Sequence, residues 1–248
     1  MTTCFQIATF IISIFLLGCN NHSNDATNAS PKKDTVRVSS RLPQPLDTPR
    51  SFVKDYGINE NNKLFAFVGQ KIWVERLPSR QYSFDKGFKA KYLILEKVFG
   101  DFNSDTIEFV AYDHYGIPPF SKFENVLLYV SADSGTYYQQ KYMYNDVYKT
   151  EDGRWAGTHA WDDFGHENNK RTKVKPIRIE FAAPVFYLLK MINEEGDTLS
   201  RKLPEPYFRI VGDTAFAVYG NYVKDLFVLK RDGYLTAREI FKNGKLNQ

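Results

Sequence analysis

The chain reads as a mainly β protein, and three observations predict this. From Leu64 onward, segments rich in aromatic and β-branched residues alternate apolar and polar positions with period 2. Turns built from Gly, Asn and Asp separate these segments, and a single later segment carries its apolar residues at helical spacing. Composition agrees: 43% hydrophobic residues, 16% aromatic residues, 15 Gly and 11 Pro in 248 residues exclude fibrous and disordered classes. The 33 Lys and Arg against 29 Asp and Glu leave a modest net charge of +4.

Residues 64–74 (LFAFVGQKIWV) predict a strand, with Gly69 marking a bulge or a close approach of another chain segment. Residues 88–99 (FKAKYLILEKVF) predict one long half-buried strand, with Phe88, Ala90, Tyr92, Ile94 and Val98 sharing a face. Residues 100–105 form a turn by composition, and 106–112 and 125–131 add two further strands. Residues 137–148 and 155–158 flank Glu151-Asp152-Gly153, a hairpin signal. After a basic loop, 177–181 alternates as a strand. Residues 184–193 place Val185, Leu188, Leu189 and Ile192 on one helical face, and Gly196 would end that helix. Four short strands at 207–211, 214–219, 222–229 and 234–241 then make a meander through Gly212-Asp213, Gly220-Asn221 and Arg231-Asp232-Gly233.

The N-terminus carries an export signal. Residues 1–18 hold no charged side chain, and the apolar run 10–17 is too short to cross a bilayer but suits a signal peptide. Leu16-Leu17-Gly18-Cys19 resembles a bacterial lipobox, although the usual basic residues before the apolar run are missing. The resemblance implies cleavage before Cys19, a diacylated Cys19 thiol, and a protein lipid-anchored in the bacterial cell envelope. Asn20, where Asp would mark inner-membrane retention, favours the outer membrane by the same resemblance. A short membrane anchor is the alternative. Residues 19–50, rich in Asn, Ser, Thr, Asp and Pro, read as a flexible tether; about 30 such residues span roughly 30 Å on average. Both cysteines, Cys4 and Cys19, lie in the signal region, so the exported body holds no disulfide, no Cys-ligated metal and no Cys nucleophile.

A family resemblance covers about residues 60–135. Phe67-Val68-Gly69, the run 92–100 (YLILEKVFG), 106–109 (TIEF) and 123–130 (FENVLLYV) follow the order of the netrin/TIMP-like module. That resemblance implies an OB-like five-stranded barrel used for binding. The fold expected is therefore an OB-like, netrin-like barrel over 60–165, followed by a small β-meander with one helix over 175–246. The family's disulfides are absent. Its inhibitory members chelate a protease metal through a free N-terminal Cys, and Cys19 is acylated and distant in this chain, so that activity does not carry over.

Several clusters carry possible chemistry. His159, Asp162, Asp163 and His166 place two imidazoles and two carboxylates within eight residues, ligand types that suit a metal, but at a spacing that fits no helical or EF-hand pattern. Asp113-His114 invites a general-base reading, yet neighbours in an extended chain point apart. The basic stretch 170–178 suits anionic head groups or a solvated loop. Nucleic acid is not expected as a partner of an exported, tethered protein. Tyr137, Tyr138, Tyr142, Tyr144 and Tyr148, with Trp155 and Trp161, form a dense aromatic stretch. Tyr138, Tyr142, Tyr144, Trp155 and Trp161 are its candidates for ligand contact, because exposed Tyr and Trp favour carbohydrate or protein. The first reading is a non-catalytic binding or assembly module, held to the membrane by its lipid and contacting another envelope protein or a glycan, with no cofactor. The alternative is a metal-dependent envelope hydrolase using the loop 159–166.

Overall fold

A computed structural model describes residues 64–78, 84–192 and 198–246. Cys19, the lipobox and the tether therefore lie outside the described residues.

Strands β1 (Leu64–Arg76), β2 (Lys86–Phe99), β3 (Thr106–Asp113), β4 (Asn125–Asp133) and β5 (Thr136–Lys149) are arranged β3-β2-β1-β4-β5. A parallel bridge between Val110 and Tyr138 joins β3 to β5 and closes the ring. This is an OB-like five-stranded barrel within a mainly β chain. Period-2 alternation sends one side of each strand inward, so Phe65, Phe67, Ala90, Tyr92, Ile107, Phe109, Val126, Leu128 and Val130 form a single interior cluster. Phe120, in a one-turn 3-10 helix (Pro119–Lys122) between β3 and β4, adds its ring 6.0 Å from Phe109 and 6.1 Å from Tyr92. Closing a small barrel bends its longest strands, and β1 shifts register against β2 at three places. One is at Gly69, where a Cβ would sit 2.7 Å from Phe67 Cε2 and 3.1 Å from Tyr92 Cδ1. Close approach, and not turn geometry, is what requires glycine there.

β1 and β4 differ from the half-buried strands because Leu64 to Gly69 and Val126 to Ser131 are buried at every position. Their outward side chains are covered by a second layer from the C-terminal third. β6 (Trp155–Thr158) pairs with β5 and leads into the short helix α1 (Trp161–Gly165). β7 (Ile177–Arg178), β8 (Phe186–Leu188), β9 (Lys190–Ile192), β10 (Thr198–Ser200), β11 (Phe208–Val211), β12 (Thr214–Ala217) and β13 (Tyr219–Tyr222) follow. β13 sits between β6 and β7 and extends the barrel sheet, while β11, β12 and β8 form a separate three-stranded sheet. Then come α2 (Val223–Lys230), a π-helical turn (Arg231–Leu235) and the hairpin of β14 (Phe241–Lys242) and β15 (Lys245–Leu246).

Val223, Leu226 and Phe227 of α2, with Leu235, Ile240 and Phe241, pack on Leu64, Ala66, Val68, Leu127 and Tyr129 of the barrel's outer face. Phe99 stacks on Phe227 at 4.7 Å, extending this layer to the end of β2. Each fully buried Leu or Phe contributes roughly 2 kcal/mol, so the second layer is a substantial share of the core. Barrel and C-terminal layer thus share one hydrophobic cluster.

The C-terminal elements differ from expectation in three places. Residues 184–192 are not helical: β8 and β9 occupy that range, β8 is held by pairing Phe186, Tyr187 and Leu188 with Phe216, Ala215 and Thr214 of β12, and the helix end expected at Gly196 lies outside the described residues. Residues 223–230 are helical, because Val223, Leu226, Phe227 and Lys230 fall at i, i+3, i+4 and i+7 and all four are buried. The expected strand at 234–241 is replaced by the π-helical turn and by β14, which begins only at Phe241.

Candidate functional site at the β5 bulge

The barrel departs most from regular geometry in β5. Leu128 pairs with Tyr144 and Val130 with Gln139, so residues 140–143 of β5 stand opposite Tyr129 alone. Tyr142 lies in this bulge with φ +65°, the left-handed region that Tyr rarely adopts. Side chains hold the bulge in place by meeting its backbone and its polar groups. Gln139 donates Nε2–H to the Met143 carbonyl at 2.9 Å, spanning the bulge. Gln140 donates to Ser131 Oγ at 2.7 Å. Arg238, from the chain beyond α2, donates to Gln140 Oε1 at 3.2 Å and to the Lys141 carbonyl at 2.8 Å. The Lys141 side chain is almost entirely buried and pairs with Asp85 at 2.7 Å, tying the bulge to the start of β2.

Bulges re-aim side chains, and this one turns the Tyr142 ring outward into a cluster of rings from neighbouring loops. The Lys141 ammonium stands 5.1 Å from the Tyr142 ring centre. Tyr115, 86% exposed just after β3, lies 6.2 Å from Tyr142 and edge-on to His114 at 5.1 Å. His114 stacks flat on Phe84 at 3.8 Å and 12°, and its Nδ1 is 3.1 Å from the Phe84 carbonyl. Asp113 accepts the Tyr115 backbone N–H at 2.8 Å, which turns the chain sharply out of β3. Along the β3–β5 seam, Tyr112 and Tyr138 stack at 6.5 Å. Phe84, Tyr112, Tyr115 and Tyr142 are all exposed, and Ile117 beside them is 67% exposed. Large aromatics collected at one place on a surface make this cluster the candidate site.

The residues singled out in the sequence divide. Tyr142 belongs to this cluster, and Tyr138, half-buried, stacks on Tyr112 along the β3–β5 seam. Tyr144 is half-buried and packs toward Phe123 at 6.0 Å; burial raises the pKa of its hydroxyl, and the Asp146 carboxylate adds to the rise. Trp155 is a correction: it is 7% exposed within the core, with the Lys149 ammonium 4.2 Å over its ring, and so packs instead of meeting a ligand. Trp161 is exposed at the start of α1, edge-on to His159 at 5.9 Å and apart from the bulge cluster. Tyr148 turns to Asp146: Tyr148 donates its O–H to Oδ2 at 2.8 Å, and Tyr187 donates to the same oxygen at 2.6 Å. Burial and then that carboxylate push both hydroxyls well above the usual tyrosine range. Phe84, Asp85, His114, Tyr115 and Lys141 went unmarked as ligand contacts. In the stretch 113–116 the sequence points to Asp113 and His114 as a general base, while Tyr115 carries the more exposed ring.

The loop 159–166 sends its four candidate ligands to different partners. His159 is sandwiched between Tyr207 at 3.7 Å and Phe164 at 5.1 Å, both nearly parallel, and its buried Nδ1 has no hydrogen-bond partner. Burial holds its pKa below the usual histidine value. Asp163 pairs with Lys230, and His166 accepts the Asn168 N–H through Nδ1, while Asp162 is exposed. Among the described residues no three His, Cys, Asp or Glu side chains are grouped as metal ligands would be. In the basic stretch, Lys170 pairs with Glu167 and Arg178 with Glu180 on the surface.

Fold and site together define an OB-like barrel with a cluster of exposed aromatic rings at one bulge. Comparison with family models, with curated proteins and with solved structures found no match.

Proposed function

We propose that the protein is a lipid-anchored envelope component whose barrel is a non-catalytic binding module, with the β5 bulge and its rings as the contact surface. The observation that carries this reading is Tyr142, an exposed ring held at φ +65° by five surrounding side-chain contacts. Strain of this kind costs about 1–3 kcal/mol and persists where surrounding contacts over-determine it, which is characteristic of ligand clamps. The barrel order supports the netrin/TIMP-like resemblance, whose members use the barrel for binding. The lipobox supports anchoring through Cys19, with the body held away from the membrane by the tether.

The test is co-purification. The chain is tagged at its C-terminus, crosslinked in intact cells and recovered from solubilised envelope. Envelope material should come with the wild type and be lost from Tyr142→Asn and Tyr115→Ala. Recovery of the wild type alone, or capture indifferent to both changes, defeats the binding reading. Anchoring is tested separately: Cys19→Ala should abolish lipid labelling, and continued labelling refutes the lipobox.

A further inference from the structure

We infer that the bulge surface binds an uncharged carbohydrate chain; this names the ligand class of the site proposed above and rests on that proposal. A pyranose offers apolar C–H faces and hydroxyl edges, so its recognition needs aromatic ring faces beside polar groups. The site supplies both. Phe84 stacked on His114, Tyr115 and Tyr142 present the rings, while the phenol hydroxyls of Tyr115 and Tyr142 supply the polar groups.

Charge then selects among ligands that stack on rings. The two cations at the bulge, Lys141 and Arg238, are both turned to partners within the fold. Lys141 is committed to Asp85, and Arg238 to Gln140 and the Lys141 carbonyl. A single-stranded nucleic acid or an anionic polymer requires cations presented along its backbone, and neither Lys141 nor Arg238 is presented outward. Shape selects against a protein knob. Protein hot spots are anchors seated in desolvated pockets with an apolar surround. Here Phe84 and Tyr115 stand 69% and 86% exposed, and Ile117 is the aliphatic neighbour. Finally, Phe84 and His114 stack flat on each other and the bulge hydrogen bonds hold the backbone that carries Tyr142, which lowers the ordering cost of binding a flexible chain.

The test uses the full chain with three neutral probes, chitohexaose, cellohexaose and maltohexaose, titrated by calorimetry at low and high salt. At least one should bind saturably and independently of salt. Tyr115→Ala, an exposed change that the fold tolerates, and Tyr142→Asn should each weaken binding tenfold or more, while Tyr142→Phe keeps most of it. Failure of all three probes, or binding indifferent to Tyr115 and Tyr142, overturns the inference. If no probe binds yet cells yield a Tyr142-dependent protein partner, the carbohydrate assignment falls and the binding module stands. If neither is found, both fall.

Discussion

Replacing Lys230 by Met should destabilise the fold by about 3–5 kcal/mol, the cost of leaving a buried charge without its partner. Lys230 ends α2 and its ammonium lies 2.7 Å from Asp163 of α1; the two side chains are 8% and 2% exposed. At that separation and an effective dielectric near 20, the attraction is about 6 kcal/mol, comparable with the several kcal/mol per ion spent on desolvation. The pair is therefore close to neutral as a unit and costly only when broken. Without Lys230, the Asp163 carboxylate retains the Asn145 Nδ2–H at 3.2 Å and nothing else that compensates its charge. Adding Asp163→Asn to Lys230→Met removes the stranded charge and should restore most of the loss. The double variant should lie about 3 kcal/mol above the sum of the two singles, a coupling of the size found in contacting networks. Urea unfolding followed by circular dichroism measures all four proteins. A loss below about 1 kcal/mol for Lys230→Met, or additive singles, would show that the pair is solvated and does not fasten α1 to α2.

Gly220→Ala should cost about 3 kcal/mol or more in the same assay, because its Cβ would lie 2.0 Å from the Gly157 carbonyl oxygen and separate β13 from β6; near-wild-type stability would contradict that pairing. Burial depresses the His159 pKa, so the unfolded chain binds a proton more readily than the folded one, and stability drops as pH falls below the ordinary histidine value of 6.5. His159→Phe keeps the stack on Tyr207 and removes the titration, so the loss of stability between pH 7 and pH 5 should be shallower; an unchanged slope refutes this. Tyr142→Asn relieves part of a left-handed penalty of about 1–2 kcal/mol and gives up a cation–π contact worth about 0.5–1 kcal/mol, so stability should stay within about 1 kcal/mol of wild type. A loss above about 2 kcal/mol would make Tyr142 a structural residue.

Local pattern was enough for the barrel because each of its strands is decided by period-2 alternation and short turns. The interior residues Phe88, Ala90 and Tyr92 were readable as one face for that reason. The second layer was signalled more obliquely, in the unbroken apolar runs LFAFVG and VLLYVS, which only a strand buried on both faces can carry. The elements that cover the outer face are not separable by pattern, because two periods compete in the C-terminal third. Val185, Leu188, Leu189 and Ile192 have helical spacing, but Leu188 and Ile192 lie exposed in β8 and β9, and Val185 and Leu189 lie in the connections beside them. Val223, Leu226, Phe227 and Lys230 have the same spacing and do form a helix, because a barrel face already lined with Leu127 and Tyr129 waits to bury it. Spacing alone does not separate these cases; the availability of an apolar partner does.

The site itself was less legible than the fold, and the reason is physical. Residues 139–143 (QQKYM) contain no Gly, Pro, Asn or Asp, so nothing local announces a bulge or a left-handed residue. The conformation is imposed from elsewhere: Arg238 reaches Lys141 across 97 residues of sequence and Asp85 reaches it across 56. A segment whose own preferences would continue the strand is thus held bent by distant side chains, and the ring it aims outward is the one with least local reason to be there. Such conflict between local preference and tertiary constraint is tolerated mainly where a side chain's direction matters to something outside the fold. The rings around it, Phe84, His114 and Tyr115, come from two loops that no strand pattern places together. The contact surface therefore exists only in the closed barrel, which makes the exposed cluster, and not the aromatic count of β5, the feature that carries the functional reading.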